Sequence, residues 1–371
     1  RDPLVNTTML SGDIGTLDTY TDNVYQVVTG SGTNNTAVLD GFTVAFGYAD
    51  GSTPHHSGAG LYIYPGNPTL RNITFKDNHA AYGGGVFNRD STASFWGIIF
   101  DSNTADYGGG VYNNTSNIEI ENATFVNNTA GVQGGAIANI SSIPTLVHLT
   151  IKGNSALHIT NGFGGGIYNK GSNPKISNTI LWGNTAAASR GGDQIYNDST
   201  SATKIDHSVV EGGFEGINII TDSPALGSFL VSQGGRMQVI PIAHRSSARD
   251  AADADKCAHI DQRGLNRPQG AGCDIGAYEF QDVIYVVPGG GDSGFCQSWG
   301  VACDLQYALK EAFHQTKQQI WVKAGTYKPF AGPDRAATFL IGRGEQIYGG
   351  FAGTETSLGQ RNYQRYVTTL S

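Results

Sequence analysis

The clearest candidate for chemistry in this sequence is a short acidic run. Asp250, Asp253 and Asp255 lie close together along the chain. Clustered carboxylates can bind calcium, which takes about six to eight oxygen ligands. A solvated turn explains the same run without a metal. We therefore expect no cofactor, with calcium at this run as the alternative.

The other acidic residues and the histidines do not form a catalytic pattern. Cleavage of a glycosidic bond by hydrolysis needs two carboxylates about 5–9.5 Å apart, whereas the remaining candidates are scattered: Asp77, Asp101, Glu119 and Glu121. Three histidines have no spacing typical of a metal site or an activated nucleophile: His148, His158 and His207. No phosphate-loop, Gly-x-Ser-x-Gly or His-Glu-x-x-His motif occurs. We expect no catalytic or metal-binding residue and no enzyme activity.

The four cysteines form two local pairs, Cys257 with Cys273 and Cys296 with Cys303. Four cysteines allow three pairings, and the two local loops are the simplest. Zinc is the rival interpretation, but the gaps fit no usual ligand spacing. Two disulfides favour an oxidising, extracellular environment.

Composition and charge exclude several classes of protein. The 371 residues include 52 glycines and only 15% charged residues, which suits a β protein with many turns. The formal charge of -8 argues against a nucleic-acid partner, which requires a basic surface. No apolar run approaches the roughly 18 residues that a membrane-spanning helix needs.

The elements that would position any site are internal repeats. Five segments share apolar residues followed by an Asn and then a small residue, and each precedes a glycine cluster such as "YGGGVYN" (107–113). The repeated Asn residues are Asn78, Asn103, Asn128, Asn154 and Asn184. A period near 25 residues, built of short strands and turns, is what one coil of a parallel β-helix requires.

Stacking of such coils, about 4.8 Å apart, places equivalent residues above one another. Two inward columns are expected: Ile73, Ile98, Ala123, Leu149 and Thr179 in the first, and Phe75, Phe100, Phe125, Ile151 and Leu181 in the second. The Asn column predicts a ladder of stacked amides that bond both the turn and the next coil. We expect an all-β, right-handed parallel β-helix of roughly eight to ten coils.

Two phrases carry a resemblance to known families. The "FxxN" and "GG-small-I" repeats over about residues 60–200 resemble those of bacterial polymorphic outer-membrane proteins and other pectin-lyase-like right-handed β-helices. Further on, Asp261–Gly264 ("DQRG") and Asp274–Glu279 ("DIGAYE") are similar to the closing segment of bacterial surface proteins with a choice-of-anchor domain. That resemblance implies a cap over the last coil, tied by Cys257 and Cys273, with Arg263 paired to Asp274.

After residue 282 the pattern restarts. Residues 303–316 place Leu305, Leu309, Ala312 and Phe313 on one helical face behind an N-capping Asp304. The order of helix and then strand resembles the opening of a β-helix domain. The ending "TTLS" (368–371) also repeats the phrase "TTMLS" (7–11). We expect coils over 1–245, a cap over 246–282 and the opening of a following unit over 283–371, as in one period of a tandem array.

Together these features predict a secreted or cell-surface structural protein that forms a fibre, sheath or stalk. Its expected partners are copies of itself, arranged head to tail, and envelope or extracellular polysaccharide. Two alternatives stay open. A surface adhesin would bind carbohydrate or host ligands through exposed aromatic residues such as Tyr112 and Tyr168, although stacking of these tyrosines in a column is the alternative. A polysaccharide lyase or glycosidase would need paired acids across coils.

Sequons for N-glycosylation are dense, partly because Asn-Thr belongs to the repeat template. The candidate acceptors are Asn6, Asn34, Asn72, Asn113, Asn122, Asn127, Asn139 and Asn197.

Overall fold

The chain folds as an all-β, right-handed parallel β-helix, seen in a computed structural model. The structure describes residues 6–16, 19–188, 191–232, 235–292, 295–312, 318–329, 332, 335–342 and 344–371. Three sheets run the length of the coils, here named A, B and C, and every strand pairs in parallel with its neighbours in the next coil.

The strands are short and evenly spaced. Sheet A has thirteen strands: Met9–Ser11, Val38–Asp40, Thr43–Ala45, Thr69–Arg71, Thr74–Lys76, Ser94–Trp96, Ile99–Asp101, Glu119–Val126, Thr145–Lys152, Lys175–Ser177, Ile180–Trp182, Lys204–Val210 and Ile217–Ile220. Sheet B has seven: Val28–Thr29, Leu61–Ile63, Val86–Arg89, Val111–Asn114, Ile137–Ile140, Ile167–Lys170 and Ile195–Asn197. Sheet C has six: Tyr48–Ala49, His79–Tyr82, Thr104–Tyr107, Thr129–Gln133, Ser155–Ala156 and Thr185–Ala186.

The interior contains the two expected columns, together with buried apolar side chains of sheet B such as Val86, Val111 and Ile137. Every residue of both columns is fully buried, and Phe75, Phe100 and Phe125 lie in register with ring centroids 5.3 and 4.4 Å apart. Full burial of one such side chain contributes about 1.5–3 kcal/mol. The repeat therefore stabilises the rod coil by coil, without helix packing.

Glycine clusters lie where neighbouring coils approach most closely. Gly108 has φ +68, and a Cβ built on Gly110 would lie 2.7 Å from the Ala136 carbonyl oxygen of the next coil. A side chain cannot fit at that distance, so the cluster provides room for the adjacent backbone.

The parallel coils end earlier than expected. The last strand of sheet A ends at Ile220, not near residue 245. The chain then turns back, with antiparallel bridges between Leu226 and Ile242 and between Val231 and Val239.

The segment 246–282, named here the strap, lies along the side of the coils beside sheet A. Gln262 Nε2 donates to the Ile98 carbonyl (2.9 Å), Ala277 N donates to Thr150 Oγ1 (3.1 Å) and Asp253 N donates to Asn178 Oδ1 (2.7 Å). These contacts span several coils. The expectation of a cap seated on the last coil was therefore wrong in placement, because the strap's polar backbone groups bond the corners along the flank.

A second coil stack begins directly after the strap. Its strands are Val283–Gly291, Gln319–Lys323 and Gln346–Phe351, with a smaller pair, Gly325–Tyr327 and Thr368–Leu370. The helix Leu305–Ala312 covers the first coil, and Asp304 Oδ1 accepts from Gln306 N as an N-cap. Phe313 lies outside the described residues. The 3₁₀ turns are Tyr20–Asp22, Ala254–Lys256, Trp299–Val301 and Leu358–Gln360.

Candidate functional site

The Asn column is a continuous ladder through the buried corner of the coils. Each Nδ2 donates to the Oδ1 of the next Asn at 2.9–3.0 Å, from Asn78 to Asn184. From Asn103 onward, each Oδ1 also accepts the backbone N–H of the preceding ladder residue, as Asn128 does from Asn103 (3.1 Å). The amides thus satisfy buried turn groups that no strand can reach, which is an architectural role.

A second ladder was missed. It joins Asn88, Asn113, Asn139, Asn169 and Asn197 through Nδ2 to Oδ1 bonds of 2.8–3.0 Å. The signal was present in the sequence, because each glycine cluster ends in Asn. From the sequence, three of them, Asn113, Asn139 and Asn197, are interpreted only as glycosylation candidates.

Burial divides the candidate glycosylation sites. Asn113, Asn122 and Asn139 are completely buried and Asn72 is nearly so, and their side chains are out of reach in the folded chain. Asn197 is half-buried, and the remaining candidates, Asn6, Asn34 and Asn127, are exposed.

The aromatic residues of the repeats form a column on the outside of sheet B. Tyr112 is 9% exposed and stacks on Phe87 at 5.6 Å, and Tyr168 is 6% exposed and stacks on Tyr196 at 5.6 Å. Stacked rings use their faces on one another, so they offer little flat surface to a sugar. Of the two alternatives for these tyrosines, an exposed stripe and a stacked column, the structure has the column.

The "DQRG" and "DIGAYE" phrases interlock inside the strap. Arg263 pairs with Asp261 (2.8 Å), donates to the Glu279 carbonyl (2.6 Å) and lies over the Tyr278 ring (4.0 Å). Arg267 pairs with the Glu279 carboxylate at 2.8 Å. The expected pairing of Arg263 with Asp274 was wrong.

The Asp274 carboxylate bonds backbone N–H groups instead of Arg263. Its carboxylate accepts from Asp250 N (2.8 Å) and Phe280 N (2.5 Å), which closes the turn at the end of the strap. Burial, followed by the neighbouring Glu279 carboxylate, raises its pKa. Since two guanidinium groups face three carboxylates in this cluster, one proton retained on Asp274 makes the cluster neutral.

Both cysteine pairs form the expected disulfides, Cys257 with Cys273 and Cys296 with Cys303. The first closes a loop within the strap. The second lies beside the opening of the second coil stack, where Cys303 forms bridges with Val286 and Gly291.

The acidic run does not converge on one point. Asp250 accepts from Gly272 N (2.9 Å) and lies 3.6 Å from Arg249, whereas Asp253 joins Asp206 and His207 in a separate cluster. Lys256 Nζ already lies 2.7 Å from Asp206 and 3.4 Å from Asp253. An ammonium group therefore occupies the position that a cation would take.

His148 lies under the strap. It is completely buried at a corner with φ +53, where its Nε2 lies 3.2 Å from Asn178 Nδ2 and 3.4 Å from Ala258 N. Burial and then the nearby Arg267 guanidinium hold its pKa well below the usual value. The N–H groups of Asn178 and Ala258 both point at Nε2 of His148. A ring nitrogen that accepts hydrogen bonds carries no proton, so this arrangement favours the neutral imidazole. His158 is exposed, at the loop 157–162.

Acid should therefore destabilise the strap through His148. The unfolded chain binds a proton at this residue near pH 6.5 while the folded chain does not, so stability falls as pH drops below that value. His148→Asn is the reference variant, because Asn122 and Asn178 occupy the equivalent corners of the neighbouring coils. Relative to this variant, the free energy of unfolding of the wild type should fall by about 1.4 kcal/mol for each pH unit. Urea denaturation of both proteins between pH 7.5 and 5 measures this difference. A pH-independent difference would show that His148 is not buried neutral.

The comparisons match the repeats alone. Residues 122–140 and 148–170 match the family model of the Chlamydia polymorphic membrane protein repeat. No curated protein and no solved structure matches the chain. Among the described residues, none of the helices is long and apolar enough to span a membrane. The chain is therefore a β-helix with polymorphic-membrane-protein-like repeats.

Proposed function

We propose that this chain is a structural repeat protein of the cell surface, in which β-helical rods are joined in series into a fibre, sheath or stalk. The match to the repeats of a membrane-protein family supports the surface location. The observation that carries the proposal is the hydrogen-bonded junction between the strap and the second coil stack.

The junction contains no flexible linker. Arg249 Nη2 bonds both carboxylate oxygens of Asp282, the last residue of the strap, at 2.7 and 2.6 Å. The Asp282 carbonyl in turn accepts from Gln319 N of the second coil stack (2.9 Å). Gln281 is 4% exposed and donates to the carbonyls of Val283 (2.8 Å) and Phe295 (2.7 Å). A linker that allowed free motion would be polar, exposed and rich in Gly or Ser.

Side chains on both sides complete the joint. Gln318 Nε2 donates to the Gln281 carbonyl at 2.9 Å, and the Arg263 guanidinium lies 5.5 Å from the centre of the Phe295 ring. A buried charged residue of the strap, Arg263, thus contacts the first coil of the second coil stack directly. Such a joint transmits force and orientation from one rod to the next, as a stalk requires.

Removing the Arg249 side chain should make the angle between the two coil stacks more variable. In Arg249→Ala, Asp282 loses its two charge-assisted bonds, and we expect a wider spread of angles between the two coil stacks in single-particle images and a larger radius of gyration in solution scattering. The matched control is Arg89→Ala, which removes an exposed arginine 3.8 Å from Asp90. An unchanged angle distribution in Arg249→Ala would mean that this contact does not fix the joint.

The fibre itself is tested on the native material. Electron microscopy of the producing cell surface with an antibody against the folded chain should label extended fibres or stalks at regular intervals. Label confined to compact, isolated particles would contradict the proposal. Release of reducing sugar from polysaccharides by the purified chain would instead favour the enzyme alternative.

A further inference from the structure

The loop 157–162, named here the knob, is an insertion that presents apolar side chains to solvent. The preceding coil makes the same connection between sheet C and its glycine cluster with only two residues, 131 and 132. In the knob, Leu157 is 57% exposed and Ile159 is 80% exposed, the largest fraction among the large apolar side chains that the structure describes. Since the preceding coil closes without such residues, closure of the coil does not explain them.

Hydrogen bonds at both ends order the knob. Leu157 N donates to the Ala130 carbonyl of the preceding coil (2.9 Å), and Gly162 N donates to the His158 carbonyl (2.6 Å). The Nδ1 atom of His158 also accepts from Asn161 N (3.2 Å). A loop that is already ordered loses little conformational entropy when it docks, which favours a role in binding.

A cavity elsewhere on the chain has room for one aliphatic side chain. It has a volume of about 190 Å³, and none of its lining residues is charged. Val38 in its wall is 55% exposed, so the cavity opens to solvent. An apolar cavity of about 150 Å³ accommodates benzene, so this one can take the side chain of an isoleucine. Its apolar lining includes Val28, Ala37, Val38, Leu39, Leu61 and Leu70.

The knob cannot reach the cavity of its own chain. Leu39 lines the cavity, and four successive steps of strand pairing in sheet A separate it from Leu146, which lies in the coil of the knob. Stacked coils are about 4.8 Å apart, so the two sites are roughly 19 Å apart along the axis. The bond of Leu157 to the neighbouring coil keeps the knob in place. Only a second copy can bring the two surfaces together.

We propose that the knob of one copy inserts Ile159 into the cavity of a second copy. The knob contains no acidic residue and the cavity lining no charged one, so the contact adds no local repulsion between chains of formal charge -8. Because the two surfaces differ, each copy keeps one of them free, and further copies can join without closing a ring. The contact links neighbouring rods laterally and does not depend on the junction between the strap and the second coil stack.

Two variants test the contact by complementation. Ile159→Ser removes the apolar side chain of the knob, and Ala37→Leu fills the cavity. Ile159 is exposed and Ala37 is partly exposed, so both variants should keep the fold, which their unfolding midpoints verify. Association is measured by analytical ultracentrifugation of the full chain up to about 1 mM, because one buried side chain gives a weak contact.

The wild type should form larger species as its concentration rises. Each variant alone should associate at least ten-fold more weakly, which corresponds to about 1.4 kcal/mol of lost apolar burial. An equimolar mixture of the two should form dimers and nothing larger, because the knob of Ala37→Leu meets the open cavity of Ile159→Ser. The control is Ile217→Ser, since Ile217 is 66% exposed in the last strand of sheet A, and it should associate as the wild type does.

Three results would overturn the proposal. The first is a wild type that stays monomeric, and the second is a mixture of the two variants that stays monomeric. The third is an equal loss of association in Ile217→Ser, which would indicate contacts at the end of the coils instead. Flotation with phosphatidylcholine vesicles supplies the other occupant: if the mixture is monomeric and Ile159→Ser abolishes vesicle binding, the knob contacts lipid. None of these results affects the proposal for the strap junction, which the Arg249→Ala variant tests separately.

Discussion

Asn128→Ala is expected to lower the free energy of unfolding by about 3–5 kcal/mol, a large part of the stability of an ordinary domain. Asn128 Nδ2 donates to Asn154 Oδ1 (2.9 Å) and the Phe100 carbonyl (2.9 Å), and its Oδ1 accepts both N–H and Nδ2 of Asn103 (3.1 and 3.0 Å). Truncation leaves two buried donors on Asn103 and one buried carbonyl without partners.

The measurement is urea denaturation followed by circular dichroism. Asn161→Ala is the matched control, because Asn161 is an exposed asparagine in the loop 157–162 and no described side-chain bond depends on it. We expect its effect to stay within about 0.5 kcal/mol. A loss below 1 kcal/mol in Asn128→Ala would show that the ladder fills space without stabilising the coils.

The ladder and the inward columns were predictable because the period of the repeat determines them. Once coils stack in register, a residue such as Phe100 must lie over Phe75, and Asn103 over Asn78, whatever the rest of the chain does. The second ladder, at Asn113 and its equivalents, follows from the same rule. From the sequence, three of its residues, Asn113, Asn139 and Asn197, are interpreted as glycosylation candidates, so this ladder is not predicted.

The course of the strap could not be predicted in the same way. Several charged residues lie near one another in this part of the sequence, so each has more than one possible partner: Asp261, Arg263, Asp274 and Glu279. Only the conformation of the folded loop determines which of them pair. The strap lies on the flank because Gln262 and Ala277 reach Thr124 and Thr150, residues more than 100 positions earlier. No periodicity records such a contact.

This placement explains why the two phrases contain the residues they do. Gly264 has φ +97 and Gly276 φ +101, where other residues are strained, and a Cβ on Gly276 would lie 2.7 Å from Ile180 Cδ1. Gln262 bonds the coils, Ile275 and Tyr278 join the core beneath the strap, and the charged residues close its turns. In this chain the two phrases therefore build the strap on the side of the β-helix, and the strap also forms one half of the junction.

Arg267→Met should lower the free energy of unfolding by about 3–5 kcal/mol, because it leaves a buried carboxylate without its counter-charge. Arg267 and Glu279 have fully buried side chains, and Arg267 also donates to the carbonyls of Asp274 (2.9 Å) and Gly276 (2.8 Å). Without Arg267, the cluster keeps one negative charge that no guanidinium balances, so the strap must take up a second proton or open.

The double variant Arg267→Met with Glu279→Gln separates charge from packing. Since it removes both charges, it should recover about 2 kcal/mol or more of the loss, and its stability should depend less on pH between 5 and 8 than that of the single variant. The control is Arg89→Met, because Arg89 is exposed and lies 3.8 Å from Asp90. This substitution should lower the free energy of unfolding by less than about 1 kcal/mol. If the double variant is no more stable than Arg267→Met, the two hydrogen bonds that the guanidinium donates to backbone carbonyls hold the strap and the charge pair does not.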